Sequence, residues 1–128
     1  MADLKQFTLL IVEDEQVLRD TIAFDLKRKG FTVLTADNAA SAMKVIQANK
    51  VHLVLSDIRM PGGDGLSLLE QIRAVDPTIP VVILMTGFSD FSEKECITKG
   101  AQQLIKKPFD RKALLDSIFQ SLGIAKAA

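Results

Sequence analysis

A chain of 128 residues can hold one domain with a full core and is too short for two; a single domain over 1–128 is expected, packed over about residues 7–122. Hydrophobic residues make up 48%, which argues against disorder, and sixteen basic residues balance sixteen acidic ones, so neither nucleic acid nor an anionic membrane surface finds an electrostatic footing. The lone cysteine, Cys96, makes no internal disulfide or zinc site, no leader-like stretch opens the chain and no apolar run could span a bilayer; a cytoplasmic protein is expected.

Short apolar runs alternate with helical patterns from one end to the other. Thr8 to Val12 reads as a strand buried on both faces, because it does not alternate with polar residues. Glu15 to Lys29 reads as a helix with Val17, Leu18, Ile22 and Leu26 inward and Gly30 as its stop. Phe31 to Thr35 is a second strand, and Asn38 caps a helix running to about Ala48 that is buried through Ala42, Val45 and Ile46.

Leu53 to Ser56 form a third strand ending at Asp57. The loop from Met60 to Gly65 leads into a helix carrying Leu66, Leu69 and Ile72. Pro80 opens the strand Val81 to Met85. A more polar helix is predicted between Ser89 and Lys99, with Cys96 partly buried in it and Gly100 closing it. Leu104 and Ile105 form the core of a fifth strand, and Asp110 starts a last helix with Leu114, Leu115, Ile118 and Phe119 inward. No effector domain is expected in the few residues after that helix. Five strands alternating with five helices predict an α/β fold, an open parallel sheet covered on both faces.

Such sheets bind ligands at the carboxyl ends of their strands. There the sequence places Glu13-Asp14, Asp57, Thr86-Gly87 and Lys106-Lys107-Pro108. With strand order 2-1-3-4-5, strands one and three are neighbours and their three carboxylates converge. Converging carboxylates repel, and a hard divalent cation such as Mg²⁺ (or Mn²⁺) would offset them. A carboxylate beside that cation can act as a nucleophile toward phosphorus, while a lysine and a hydroxyl neutralise the transferring oxygens. Taken singly, each residue has a plainer reading: Glu13, Asp14 and Thr86 as helix caps, Asp57 as a turn residue, Lys107 as a surface charge. Their joint placement on one sheet edge favours a site. His52 stands alone and reads as structural.

The residues resemble the receiver domain of two-component response regulators, over nearly the whole chain. Leu10 to Glu15 is similar to the family's acidic entry motif and Leu55 to Gly65 to its phosphoacceptor motif. Leu84 to Gly87 and Ile105 to Phe109 are similar to its hydroxyl and lysine motifs. The resemblance implies a flavodoxin-like (βα)5 doubly wound sheet of order 2-1-3-4-5. It implies Asp57 as phosphoacceptor, Asp14 and the backbone carbonyl of Arg59 as Mg²⁺ ligands beside Asp57, and Glu13 acting through water. Lys107 would contact the phosphoryl group and Thr86 would bond it after transfer. The phosphodonor would be a histidine kinase or phosphotransfer protein, and the switched chain would in turn act on an unknown output protein or effector domain. The resemblance leaves room for a cis Lys107–Pro108 bond and for a phosphorylation-dependent dimer. The face around the fourth helix, fifth strand and fifth helix would carry the output. At the position where much of the family has a switching aromatic residue this chain has Leu104, which removes the usual ring readout. Arg59 could reach a phosphoryl oxygen, and Phe88 is expected to cover the site and slow phosphoryl loss; solvated loop residues are the alternative for both.

A receiver catalyses only its own phosphorylation and dephosphorylation, so no enzyme acting on a metabolite is expected. Two other readings compete: a binding module that is never phosphorylated, and a flavodoxin-like or aspartyl-nucleophile enzyme. The second lacks both a flavin loop and an acid at position 59, where Arg59 stands.

Overall fold

A computed structural model of the chain describes residues 3–60, 64–87 and 92–124. Five strands form one parallel sheet: β1 (Thr8–Val12), β2 (Thr32–Ala36), β3 (Leu53–Asp57), β4 (Val81–Thr86) and β5 (Gln103–Lys106). Their order is β2-β1-β3-β4-β5, so the expected doubly wound sheet is present and β1 lies beside β3. The helices are α1 (Gln16–Lys29), α2 (Ala39–Ala48), α3 (Gly65–Val75), α4 (Glu93–Thr98) and α5 (Arg111–Leu122).

Because side chains alternate across a strand, the sheet separates two apolar cores. Leu9, Ile11, Leu53, Leu55, Ile83 and Met85 meet α1 and α5 through Ile22, Leu26, Leu114, Ile118 and Phe119. Leu10, Val12, Val54, Val82, Leu84 and Leu104 face the other way, toward Ala42 of α2, Leu68, Leu69 and Ile72 of α3, and Cys96 of α4. Four helix starts carry side-chain caps: Asn38 accepts from Ser41 N–H, Asp64 from Ser67 N–H, Ser92 from Glu95 N–H and Asp110 from Lys112 N–H. Each such cap stabilises its helix by about 1 kcal/mol.

Several local expectations are corrected. Val17 is 74% exposed, because Leu18 takes the inward position in that turn. Glu15 is the N-cap and α1 starts at Gln16, while β2 lies one residue later than expected, with Phe31 preceding it as a core residue. Within the described residues α4 begins at Glu93, since Ser92 is extended and caps it; Ser89 lies outside them. Cys96 is fully buried, as the inward residue of that short helix. His52 is structural, as expected: its Nδ1 accepts the Thr8 N–H at 3.0 Å and its ring meets Phe7 edge-on. Among the described residues two peptide bonds are cis, Ile79–Pro80 and Lys107–Pro108.

Between α4 and β5 runs a side-chain tether. The Glu93 carboxylate accepts the backbone N–H of Leu104 at 3.3 Å. At the other end of α4, Arg73 of α3 donates from Nε to the Gly100 carbonyl at 3.0 Å. No helix among the described residues is long and apolar enough to cross a membrane.

Candidate functional site

Strand register builds the site. Val12 pairs with Ser56 and Asp57 with Met85, so Glu13, Asp57 and Thr86 emerge together at the carboxyl end of the sheet. Glu13 extends the ladder by donating its N–H to the Ala36 carbonyl at 3.1 Å. Lys107 follows β5 and donates its N–H to the Thr86 carbonyl at 2.8 Å, which fixes where its side chain starts.

One carboxylate oxygen from each of Glu13, Asp14 and Asp57 lies within 4.8 Å of the others. Lys107 Nζ bridges two of them, donating to Glu13 Oε1 at 2.9 Å and Asp57 Oδ2 at 2.8 Å. Glu13 is 1% exposed, Asp57 8% and Thr86 1%, whereas Asp14 faces solvent. The second Glu13 oxygen, Oε2, accepts the Glu15 N–H at 3.1 Å. Arg59 lies two residues beyond Asp57 and is exposed. Phe88 and Gly62-Gly63 lie outside the described residues.

Burial pushes the Glu13 carboxyl above its usual value, against the Lys107 and Glu15 hydrogen bonds that favour its anion. For Lys107 burial is the largest single influence and favours the neutral amine. The bonds to Asp57 and Glu13 outweigh it, and the ammonium is held above its ordinary 10.5. The site therefore holds a fixed cation among three carboxylates, with negative charge in excess when all three are ionised.

That donor set fits a hard divalent cation. It is all oxygen, it carries uncompensated negative charge, and its exposed member, Asp14, leaves room for water. Thiol and imidazole are absent from the cluster, which disfavours softer metals.

Two contacts were not legible from the motifs. Arg19 of α1 donates from its guanidinium to the Glu13 carbonyl at 2.9 Å, and the buried Ser56 hydroxyl donates to the Asp57 carbonyl at 2.9 Å. A signal existed for the first, because a cation in the opening turn of a helix opposes the helix dipole and asks for a local anionic or carbonyl partner. Beside the site, a cleft of about 790 Å³ runs between α1 and α5, walled by Leu18, Ile22, Phe109 and Leu115 and reaching Lys107. Arg111 of α5 pairs with Asp25 of α1 across it, Nε to Oδ2 at 2.7 Å. The carboxylates themselves lie outside this apolar cleft.

Comparison with known proteins agrees with the geometry. Residues 9–119 match the family model described as the response regulator receiver domain. The chain is 34% identical over 114 residues to the transcriptional regulatory protein GlrR of Escherichia coli, covering 89% of this chain and 26% of that protein. It is 38% identical over 111 residues to the C4-dicarboxylate transport transcriptional regulatory protein DctD of Rhizobium meliloti, covering 86% and 24%. The chain thus spans about a quarter of the length of these curated relatives. Among solved structures, NtrX of Brucella abortus in complex with ADP superposes with a TM-score of 0.84 at 32% identity, over 91% of this chain and 27% of that one. The Thermotoga maritima response regulator TrrA, solved with Mg²⁺ and BeF, gives 0.80 at 27% identity over 90% and 98%. The chain belongs to the response regulator receiver family and serves phosphorylation-based two-component signalling.

Proposed function

We propose that Asp57 accepts the phosphoryl group, in a reaction dependent on Mg²⁺ or Mn²⁺ held by Asp14, Asp57 and the Arg59 backbone carbonyl, with Glu13 contributing through water. The observation that carries this reading is the Lys107 ammonium, held at 2.8 Å from Asp57 and 2.9 Å from Glu13 within an otherwise anionic cluster. The cation, when bound, would neutralise charge on the transferring phosphoryl oxygens.

An Asp57 oxygen supplies the electron pair that forms the new O–P bond. The N–P bond of a phosphohistidine on a histidine kinase or phosphotransfer protein breaks, and its electrons remain on the imidazole. Lys107 turns from the Asp57 carboxylate to a phosphoryl oxygen, and the buried Thr86 hydroxyl donates to another. Water later hydrolyses the acyl phosphate, so the covalent chemistry begins and ends on the chain itself. Output follows from a change in affinity of the face formed by α4, β5 and α5 for an output protein or effector domain. Leu104 belongs to the buried core shared with α4, so a shift there would move packing rather than swing a ring.

The test is intact-protein mass after incubation with Mg²⁺ and a small phosphodonor. Added phosphoryl mass is expected for the wild type and none for Asp57→Asn. An unmodified wild type would favour a binding module that is never phosphorylated, and modification retained in Asp57→Asn would assign the wrong acceptor.

A further inference from the structure

Glu13 is held through its carbonyl, its N–H and its side chain. The Glu13 N–H is bound to Ala36 in the sheet and its carboxylate is held by the Glu15 N–H and by Lys107, while its carbonyl, part of the peptide that leads to Asp14, accepts from the Arg19 guanidinium at 2.9 Å. Asp14, the next residue, is exposed and follows the plane of that peptide. The sheet and the buried Glu13 side chain fix residue 13, but neither fixes rotation of the peptide plane that follows it. The contact made on that plane comes from Arg19, one turn into α1 and half-buried.

We infer that Arg19 is a positioning residue for the cation site: by holding the Glu13 carbonyl it sets the direction of Asp14. This inference rests on the reading that Glu13, Asp14 and Asp57 hold a divalent cation. It carries an unusual sign. By Coulomb's law alone, removing a positive guanidinium beside a cation site should tighten cation binding. Positioning demands the opposite, because freeing the peptide plane spreads Asp14 over orientations that miss the cation. Loss of an outer support for a metal ligand weakens binding by about tenfold or more, enough to override the relief of repulsion.

The experiment is Mn²⁺ titration of the full chain, followed by the electron paramagnetic resonance of free Mn²⁺, for the wild type, Arg19→Met and Arg19→Lys. Met retains length and helix propensity without a donor, and Lys restores a donor. Arg19→Gln, too short to reach the carbonyl, stands in should the Met variant fail to fold, with thermal melts verifying each protein. We expect about tenfold weaker binding for Met or Gln and recovery of most of it by Lys. Arg19→Met binding as tightly as the wild type, or more tightly, would overturn the inference while leaving the cation reading intact. A wild type that binds no Mn²⁺ would remove the cation reading and the inference together.

Discussion

Gly65 offers the most direct test of how the phosphoacceptor strand is seated. It is the first residue of α3, and its N–H donates to the Ile58 carbonyl at 2.6 Å. A Cβ there would lie 2.4 Å from the Asp57 carbonyl oxygen, 3.0 Å from Ile58 Cα and 3.1 Å from the Asp57 carbonyl carbon, where ordinary contact begins at 3.4 Å. All three atoms are backbone, so no side chain can rotate away, and α3 must separate from β3 by about 1 Å. Overpacking of this kind costs about 3 kcal/mol at its upper end. Gly→Ala recovers about 1 kcal/mol from helix propensity and from the less flexible unfolded chain. The net loss is about 2 kcal/mol, or about 8 °C in melting temperature for a domain of this size. Gly123→Ala is the control: its φ is +71° but nothing lies within 4 Å of a Cβ. It should cost only the left-handed conformation, about 1 kcal/mol. Thermal unfolding by circular dichroism measures both. Gly65→Ala melting no lower than Gly123→Ala would refute the claim that space against the Asp57 backbone decides this position.

Lys107→Met should destabilise the cation-free protein by about 2 kcal/mol, less than a fully buried broken pair because the Lys107 side chain is partly exposed. Urea unfolding should show Mg²⁺ rescuing the variant more than it stabilises the wild type; equal responses would refute the role of Lys107 in offsetting the carboxylates. His52 gives a pH signature. Burial, and secondarily Lys50, lower its pKa below the ordinary 6.5, and its Nδ1 is occupied as an acceptor from Thr8. Folding therefore favours the neutral ring. Its contribution is complete above the unfolded value, declines as pH falls below 6.5, and levels off beneath the lowered folded-state value. Urea midpoints should fall more steeply with acid for the wild type than for His52→Gln, and parallel profiles would show that His52 does not set the slope.

The sheet and its site edge were legible because buried parallel strands leave unbroken apolar runs, and because the polar residues interrupt them at one end; the strand order came from the resemblance to the receiver family. Glu13, Asp14, Asp57 and Thr86 stand at the ends of those runs, whereas the choice of Lys107 over Lys106 came from the same resemblance. Val17 was misread because Val17 and Leu18 both fit an amphipathic face, and only packing against β1 and α5 selects between them. The start of α4 at Glu93, inside the expected range, was not legible because Ser89 and Ser92 are both chemically suited to cap. The full burial of Cys96 depends on where that short helix lies on the sheet, which no periodicity over six residues reveals. Ser56 and Glu93 act through backbone groups, and backbone partners leave no mark on residue types; Arg19 left only the mark of a cation in the opening turn of α1.

The tether from Glu93 to Leu104 has a consequence for the sheet's outer margin. Lys107 donates its N–H inward to Thr86, and N–H directions alternate along a strand, so the Leu104 N–H points away from β4. On an edge strand such a donor is an invitation to a strand from another molecule. Here a carboxylate already occupies it. A strand approaching this margin would have to displace Glu93 and bring its own carbonyl against a negative charge. The same contact that ties α4 to β5 also guards the open side of the sheet against edge-to-edge aggregation.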